Sequence, residues 1–385
     1  MLWILDSTLR EGEQTPGVYF DTHIKQAIAD KLDQIGINII ETGHPAVTPE
    51  IYQAVRQIAR RGLKAHIGAH SRSLEKDVDL ALECGVDFLG IFYCVSDHRL
   101  TNVFKKELNS AVEQISRIIR YAKEKKPDLL IRYTPEDTVR SEFSNVIEAA
   151  SAAVAAGADI ISIADTTGFM VPGTSNNMYD YVLQLKEELA KRGHSPMIAV
   201  HCHNDRGFAL ANALDGFRAG AEIIDTSVLG LGERAGIVDM AQLLIALKTA
   251  YQVDNGWKLQ LLPELYGLVS KYAGIPIPVN FPAVGQNAFT HCAGVHTHAA
   301  LENPVHYQSL DPDLLGRHMH VALDHMSGLS SVEWALDQLQ IDYDADLAAR
   351  VLDLVKLTGQ KGRTVDEEEL VHIVEWCRKH PTQEA

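Results

Sequence analysis

Two histidines, His201 and His203, flank Cys202 where an apolar run (197–200) meets a polar stretch. Side chains alternate faces along a strand, so both imidazoles point one way and Cys202 points the other, as packing. Two imidazoles on one face at a strand end can hold a divalent metal if a carboxylate completes the set, and hydrogen bonds alone can also satisfy such a pair. A carboxylate source lies near the start, in Asp6-Ser7-Thr8-Leu9-Arg10-Glu11-Gly12-Glu13-Gln14. Acidic groups this dense directly after an apolar run are costly to bury unless paired or ligating. Asp6 or Glu11 can supply the anionic ligand, and Arg10 can hold a substrate oxyanion or carboxylate; a surface loop with casual ion pairs has the same composition. Arg132, Thr134 and Glu136 stand at i, i+2 and i+4 and share one strand face. That cation and hydroxyl suit a substrate carboxylate, and Glu136 suits a general base. Thr166 adds a hydroxyl in a polar turn. His70, and the later His291, His296 and His298 with Tyr307, complete the set of chemistry-bearing residues.

Eight short apolar runs could position these groups: 3–5, 37–41, 64–67, 88–92, 129–133, 160–164, 198–201 and 223–226. Each is followed by an amphipathic helical pattern (23–34, 49–60, 74–83, 109–125, 144–155, 177–191, 209–218 and 239–249), and several of these close on glycine, a C-cap signal. Eight strand–helix units over roughly 250 residues predict a (β/α)8 TIM barrel, with chemistry at the C-terminal ends of the strands. An open doubly wound sheet fits less well, because no Gly-rich fingerprint follows the first strand. The expected organisation is a catalytic barrel at 1–275, a Pro- and Gly-rich linker subdomain covering the active site at 276–329, and a helical subdomain at 330–385.

The chain has 385 residues, 46% hydrophobic and 22% charged, as in ordinary globular proteins. A formal charge of −16 argues against a nucleic-acid surface and leaves small anionic substrates open. No apolar run approaches the roughly 20 residues that span a bilayer. Asp6 and Arg10 follow the first residues so closely that no signal peptide fits, and a cytoplasmic protein without membrane partners is expected. Five scattered cysteines without CxxC predict reduced thiols.

The motifs LDSTLREGEQTPG, IRYTPEDTVRSE, IADTTG, HCHNDRGFALANA, LGLGERAG and AFTHCAGVHTHAALENPVHY carry a resemblance. With them the chain resembles the barrel metalloenzymes that condense acetyl-CoA with 2-oxo acids, among them homocitrate synthase and 2-isopropylmalate synthase. The match is collinear from Trp3 to the last helix. It implies a divalent metal (Mg2+, Mn2+ or Zn2+) on Glu11, His201 and His203, with Asp6 as a second carboxylate candidate. It implies that Arg10 holds the 2-oxo acid and stabilises negative charge, and that Glu136, His296 and Tyr307 form the acid/base set. Gln14, His70, Arg132, Thr134 and Thr166 join Arg10 in substrate binding. Acetyl-CoA is the implied co-substrate, and the implied assembly is a homodimer whose C-terminal segment reaches the partner's site.

Homocitrate synthases resemble this chain in a His after strand three and Arg-x-Ser on strand five, gripping the distal carboxylate of 2-oxoglutarate; here the positions hold His70, Arg132 and Thr134. A pocket for an isopropyl tail would leave a buried Arg132 unpaired, which favours the dicarboxylate. The absence of the further C-terminal regulatory domain usual in 2-isopropylmalate synthases points the same way. Ala199 departs from the Glu of lysine-pathway homocitrate synthases, and GERAG departs from their GERNG. The implied reaction is a Claisen condensation with 2-oxoglutarate and thioester hydrolysis to homocitrate, in lysine biosynthesis. Isopropylmalate or citramalate synthesis is the alternative, and a lyase or aldolase of the same superfamily is more remote.

Overall fold

The structure, a computed structural model, describes residues 2–380 in two compact units, Met1–Ile277 and Pro278–Ala385. In the first, eight parallel strands close into a ring: β1 Trp3–Asp6, β2 Ile39–Glu41, β3 His66–Arg72, β4 Phe88–Cys94, β5 Leu130–Glu136, β6 Ile160–Asp165, β7 Met197–Cys202 and β8 Ile223–Thr226. Closure comes from β8 pairing with β1, Trp3 opposite Ile223 and Leu5 opposite Asp225. The principal helices between and after the strands are α1 Thr22–Ile35, α2 Pro49–Ala59, α3 Glu75–Cys84, α4 Leu108–Lys125, α5 Phe143–Ala155, α6 Met178–Lys191, α7 Ala209–Arg218 and α8 Met240–Thr249. This is the expected (β/α)8 barrel. Asp21, Thr48, Asn177 and Asp239 cap helix N-termini by accepting from a backbone N–H three residues on. A further helix, α9 Leu262–Ala273, follows the last repeat and carries Glu264, which pairs with Lys31 of α1 at 2.7 Å.

The strand period sorts the barrel interior into layers. Leu5, Ile39, Phe88, Ile160, Ala199 and Ile223 form a fully buried apolar layer. Two residues further along, the same faces carry Glu41, Gly90, Arg132, Ser162, His201 and Asp225. The apolar layer is the floor on which a polar layer rests. Gly90 makes room for it, since a Cβ there would come within 3.0 Å of His70 Nδ1 and 3.3 Å of Glu41 Oε1.

The second unit joins a parallel two-stranded pair, β9 Thr290–His291 and β10 His320–Val321, to helices α10 Gly294–Glu302, α11 Leu329–Gln338, α12 Ala345–Gly359 and α13 Glu367–Lys379. Its core gathers Val332, Leu336, Leu347, Val351, Val355, Leu370 and Val374. The sequence suggested a division at 329, but residues 278–385 cluster together. The backbones of Gly294 and Gly328 are in close contact, and Leu323 bridges to Val365, tying the Pro-rich stretch to the helices that follow. Helix α10 lies in the stretch expected to be irregular; its sequence, GVHTHAALE, offers no single apolar stripe to reveal it. All five cysteines are free, and among the described residues no helix is long and apolar enough to cross a membrane.

Candidate active site

At the C-terminal mouth of the barrel a cavity of about 480 Å³ is lined by residues from all eight strand ends or the loops that follow them. Strand β7 ends at Cys202, and His203 continues its alternation in a bridge to Ile237, so His201 and His203 face inward and Cys202 is buried on the other side. Their Nε2 atoms lie 3.2 Å apart. Glu11 arrives from the turn after β1, held by its N–H to Ser7 O at 2.7 Å, and places Oε1 4.0 Å from His203 Nε2. Ligand atoms of Glu11, His201 and His203 all fall within 4.8 Å of one another, and this is the group among the described residues able to hold a metal ion.

The chemistry of the donors fits a cation. Asp225 Oδ2 accepts from His201 Nδ1 at 3.0 Å, which leaves the His201 Nε2 lone pair facing His203. Burial, then the neighbouring His201, push His203 down to about 4, so it is neutral at pH 7. Burial alone would raise the Glu11 carboxyl, but Arg10, His201 and His203 outweigh it and bring it to about 2. His203 Nδ1 is buried without a partner among the described residues. Two arginines, the half-buried Arg10 and the buried Arg132, face three buried carboxylates, Glu11, Glu41 and Asp225, so one negative charge is in excess within this group. A divalent cation held there would reverse that sign.

Asp6 is not part of this group. Leu5 points into the barrel, so Asp6 points out of it, and its carboxylate accepts from Thr8 N at 3.0 Å and Thr8 Oγ1 at 2.9 Å. Burial pushes it up to about 7.

Arg132 is paired more fully than its sequence context suggests: Nη1 donates to both oxygens of Asp225 at 2.8 and 3.0 Å, and Nη2 to Glu41 at 3.1 Å. Glu41, fully buried, also accepts from Ser7 Oγ at 2.7 Å, Arg10 Nε at 2.6 Å and His70 Nδ1 at 3.1 Å. An apolar substrate tail would therefore leave no charge on Arg132 unpaired. Unpartnered among the described residues are Arg132 Nε, Thr134 Oγ1 and Ser162 Oγ, all buried in cavity-lining residues.

The other predicted positions divide. Arg10, Gln14, His70 and Thr166 line the cavity. Arg10 Nη1 pairs with Glu11, and Thr166 Oγ1 accepts from Asp137 N at 3.0 Å. Burial pushes His70 down to about 4, with Arg10 adding to it. Glu136 lines the cavity too, with its carboxylate 3.1 Å from Arg99 Nη2. His296 and Tyr307 lie in the second unit, their rings tilted against each other at 4.3 Å. Glu41, Asp225 and Ser162 escaped the sequence reading, although each is a polar residue at an inward position of an apolar strand, a signal that barrel alternation makes visible.

Residues 1–269 match the family model described as HMGL-like, and residues 283–363 match the one described as homocitrate synthase post-HMGL domain-like. A homocitrate synthase of Pyrococcus abyssi is 43% identical over 338 residues, covering 88% of this chain and 90% of that protein. A probable 2-isopropylmalate synthase of Ignicoccus hospitalis is 38% identical over 372 residues, covering 97% and 91%. In fold, the chain is similar to the HMG-CoA lyase of Bacillus subtilis, with TM-score 0.60 and 23% identity over 72% of this chain and 95% of that one. The chain thus belongs to the HMGL-like family, and the stretch that follows its barrel in sequence matches the post-HMGL domain of homocitrate synthase.

Proposed function

We propose that this protein is a homocitrate synthase, an acyltransferase that condenses acetyl-CoA with 2-oxoglutarate and hydrolyses the thioester to release homocitrate and CoA. The observation that carries this reading is one cavity holding both the Glu11–His201–His203 group and unpartnered buried donors at Arg132 Nε, Thr134 Oγ1 and Ser162 Oγ. Glu11, His201 and His203 would hold a divalent cation, which when bound would supply Lewis-acid polarisation of the 2-oxo group. Arg10, fixed by Glu11 and Glu41, stabilises the negative charge that develops on that oxygen as the new carbon–carbon bond forms. The free donors take the second carboxylate. Glu136, His296 and Tyr307 form the acid/base set that removes a proton from the acetyl methyl group, and the protein works as a cytoplasmic homodimer in lysine biosynthesis. Mg2+, Mn2+ and Zn2+ all suit mixed nitrogen and oxygen ligands.

One observation favours a second reading, 2-isopropylmalate synthesis: Glu41 and Asp225 already balance Arg132, so no substrate carboxylate is required there. A panel of 2-oxoglutarate, 2-oxoisovalerate and pyruvate, followed by acetyl-CoA-dependent release of free thiol, decides between them. Highest kcat/KM is expected for 2-oxoglutarate, and preference for 2-oxoisovalerate overturns the assignment.

A further inference from the structure

Across the barrel from the ligand histidines stands a histidine that the proposed reaction has not used. Strand β3 lies four strands from β7 in the closed ring. A 2-oxo acid held at Glu11, His201 and His203 by its first two carbons leaves the rest of the cavity to its tail, and the end of β3 and the loop after β2 line that cavity. On that wall the His70 ring stacks on Phe92 at 4.8 Å and meets the His44 ring edge-on at 6.3 Å. His70 has committed Nδ1 to Glu41.

His44 is held differently. Its Nε2 donates to Asp77 Oδ2 at 3.1 Å, and that carboxylate, 1% exposed, is gripped by Arg72 Nε at 2.7 Å and Nη2 at 3.0 Å. The loop is fixed by Val47 N to His44 O at 3.0 Å and His70 N to Gly43 O at 2.9 Å. These bonds lock the ring and leave Nδ1 without a partner among the described residues, on a side chain that lines the cavity. Burial outweighs the Asp77 carboxylate and, with Arg72 and Arg10, holds the free His44 imidazole below its usual range; a carboxylate arriving at Nδ1 favours the protonated ring, in which Nδ1 is a cationic donor.

We infer that His44, positioned by Asp77 and Arg72, is a specificity-determining residue whose Nδ1 contacts the tail of the 2-oxo acid and favours a tail ending in a carboxylate over an apolar one. This inference rests on the condensation reading above. The test measures kcat/KM for 2-oxoglutarate and 2-oxoisovalerate by thiol release, in the full-length, metal-loaded wild type and its variants. His44→Gln keeps a donor where Nε2 meets Asp77 and removes Nδ1, so it separates substrate contact from support of the fold. The ratio of the two kcat/KM values is expected to fall at least tenfold in His44→Gln with an unchanged melting temperature. It is expected to fall in the same direction in His44→Phe and, less steeply, in the positioning variant Asp77→Asn. A wild-type ratio in His44→Gln, or equal losses on both substrates, overturns the inference. Thiol release from the wild type with no 2-oxo acid at all overturns the condensation reading and this inference with it, an outcome that the wild-type control alone reveals.

Discussion

At the scale of residues, the ligand group is set for a cation at neutral pH, because His203 is neutral and Glu11 ionised. Replacing His203 by Ala is expected to lower bound metal, measured by elemental analysis, to less than about a tenth of wild type and to abolish turnover, since a structural site with two remaining ligands holds its ion poorly. Full activity in His203→Ala would remove the metal assignment. Arg132 makes a second prediction, opposite to the one its sequence context suggests. Its partners are 91 and 93 positions away in the chain, so nothing local announces them. Arg132→Met leaves two buried carboxylates short of their cation, and a loss of about 3–5 kcal/mol in denaturant unfolding is expected. Activity should fall for both 2-oxoglutarate and 2-oxoisovalerate, because Asp225 also orients His201. A loss confined to 2-oxoglutarate would show that Arg132 acts through the substrate carboxylate alone.

At the scale of elements, the closing repeat of the barrel carries a pH-sensitive joint. Asp239 caps α8 through Gln242 N at 2.9 Å and accepts from Tyr266 of α9 at 2.7 Å. Burial pushes its carboxyl from 3.8 up to about 6. The folded state therefore binds this proton more tightly than the unfolded chain does. Stability falls as pH rises through the window from about 4 to 6, and the full cost of about 3 kcal/mol is present above it. Asp239→Asn is expected to lose that slope, so its stability relative to wild type should improve between pH 4 and pH 7. Parallel pH profiles for the two proteins would refute the assignment. The elements themselves were largely legible in the sequence, because eight apolar runs and eight amphipathic patterns repeat in order. Helix α10 was not, because its residues carry no periodic apolar stripe, and the two-residue strands β9 and β10 are too short to show a period.

At the scale of the whole molecule, each unit has its own core, apolar layers inside the barrel and the Val332–Leu336–Val351 cluster in the second unit. Leu336 is fully buried there. Leu336→Ala is expected to cost about 2–5 kcal/mol of stability in the second unit, read by hydrogen exchange of α11 and α12 amides, while metal binding at the barrel mouth is retained. Loss of metal binding in parallel with the exchange change would argue against separate cores.

What the sequence determined by itself was the barrel, through its strand–helix period, and the residue types at the ends of the strands. His201 and His203 share a face because alternation is a local property, and so do Arg132, Thr134 and Glu136. Which charges meet was decided only by closure of the ring. Closure set Glu41 and Asp225 on either side of Arg132, and brought His44 and His70 to the same cavity as Glu11, His201 and His203. Those pairings join positions up to 93 residues apart, and such distances in sequence become contacts only when β8 returns to β1.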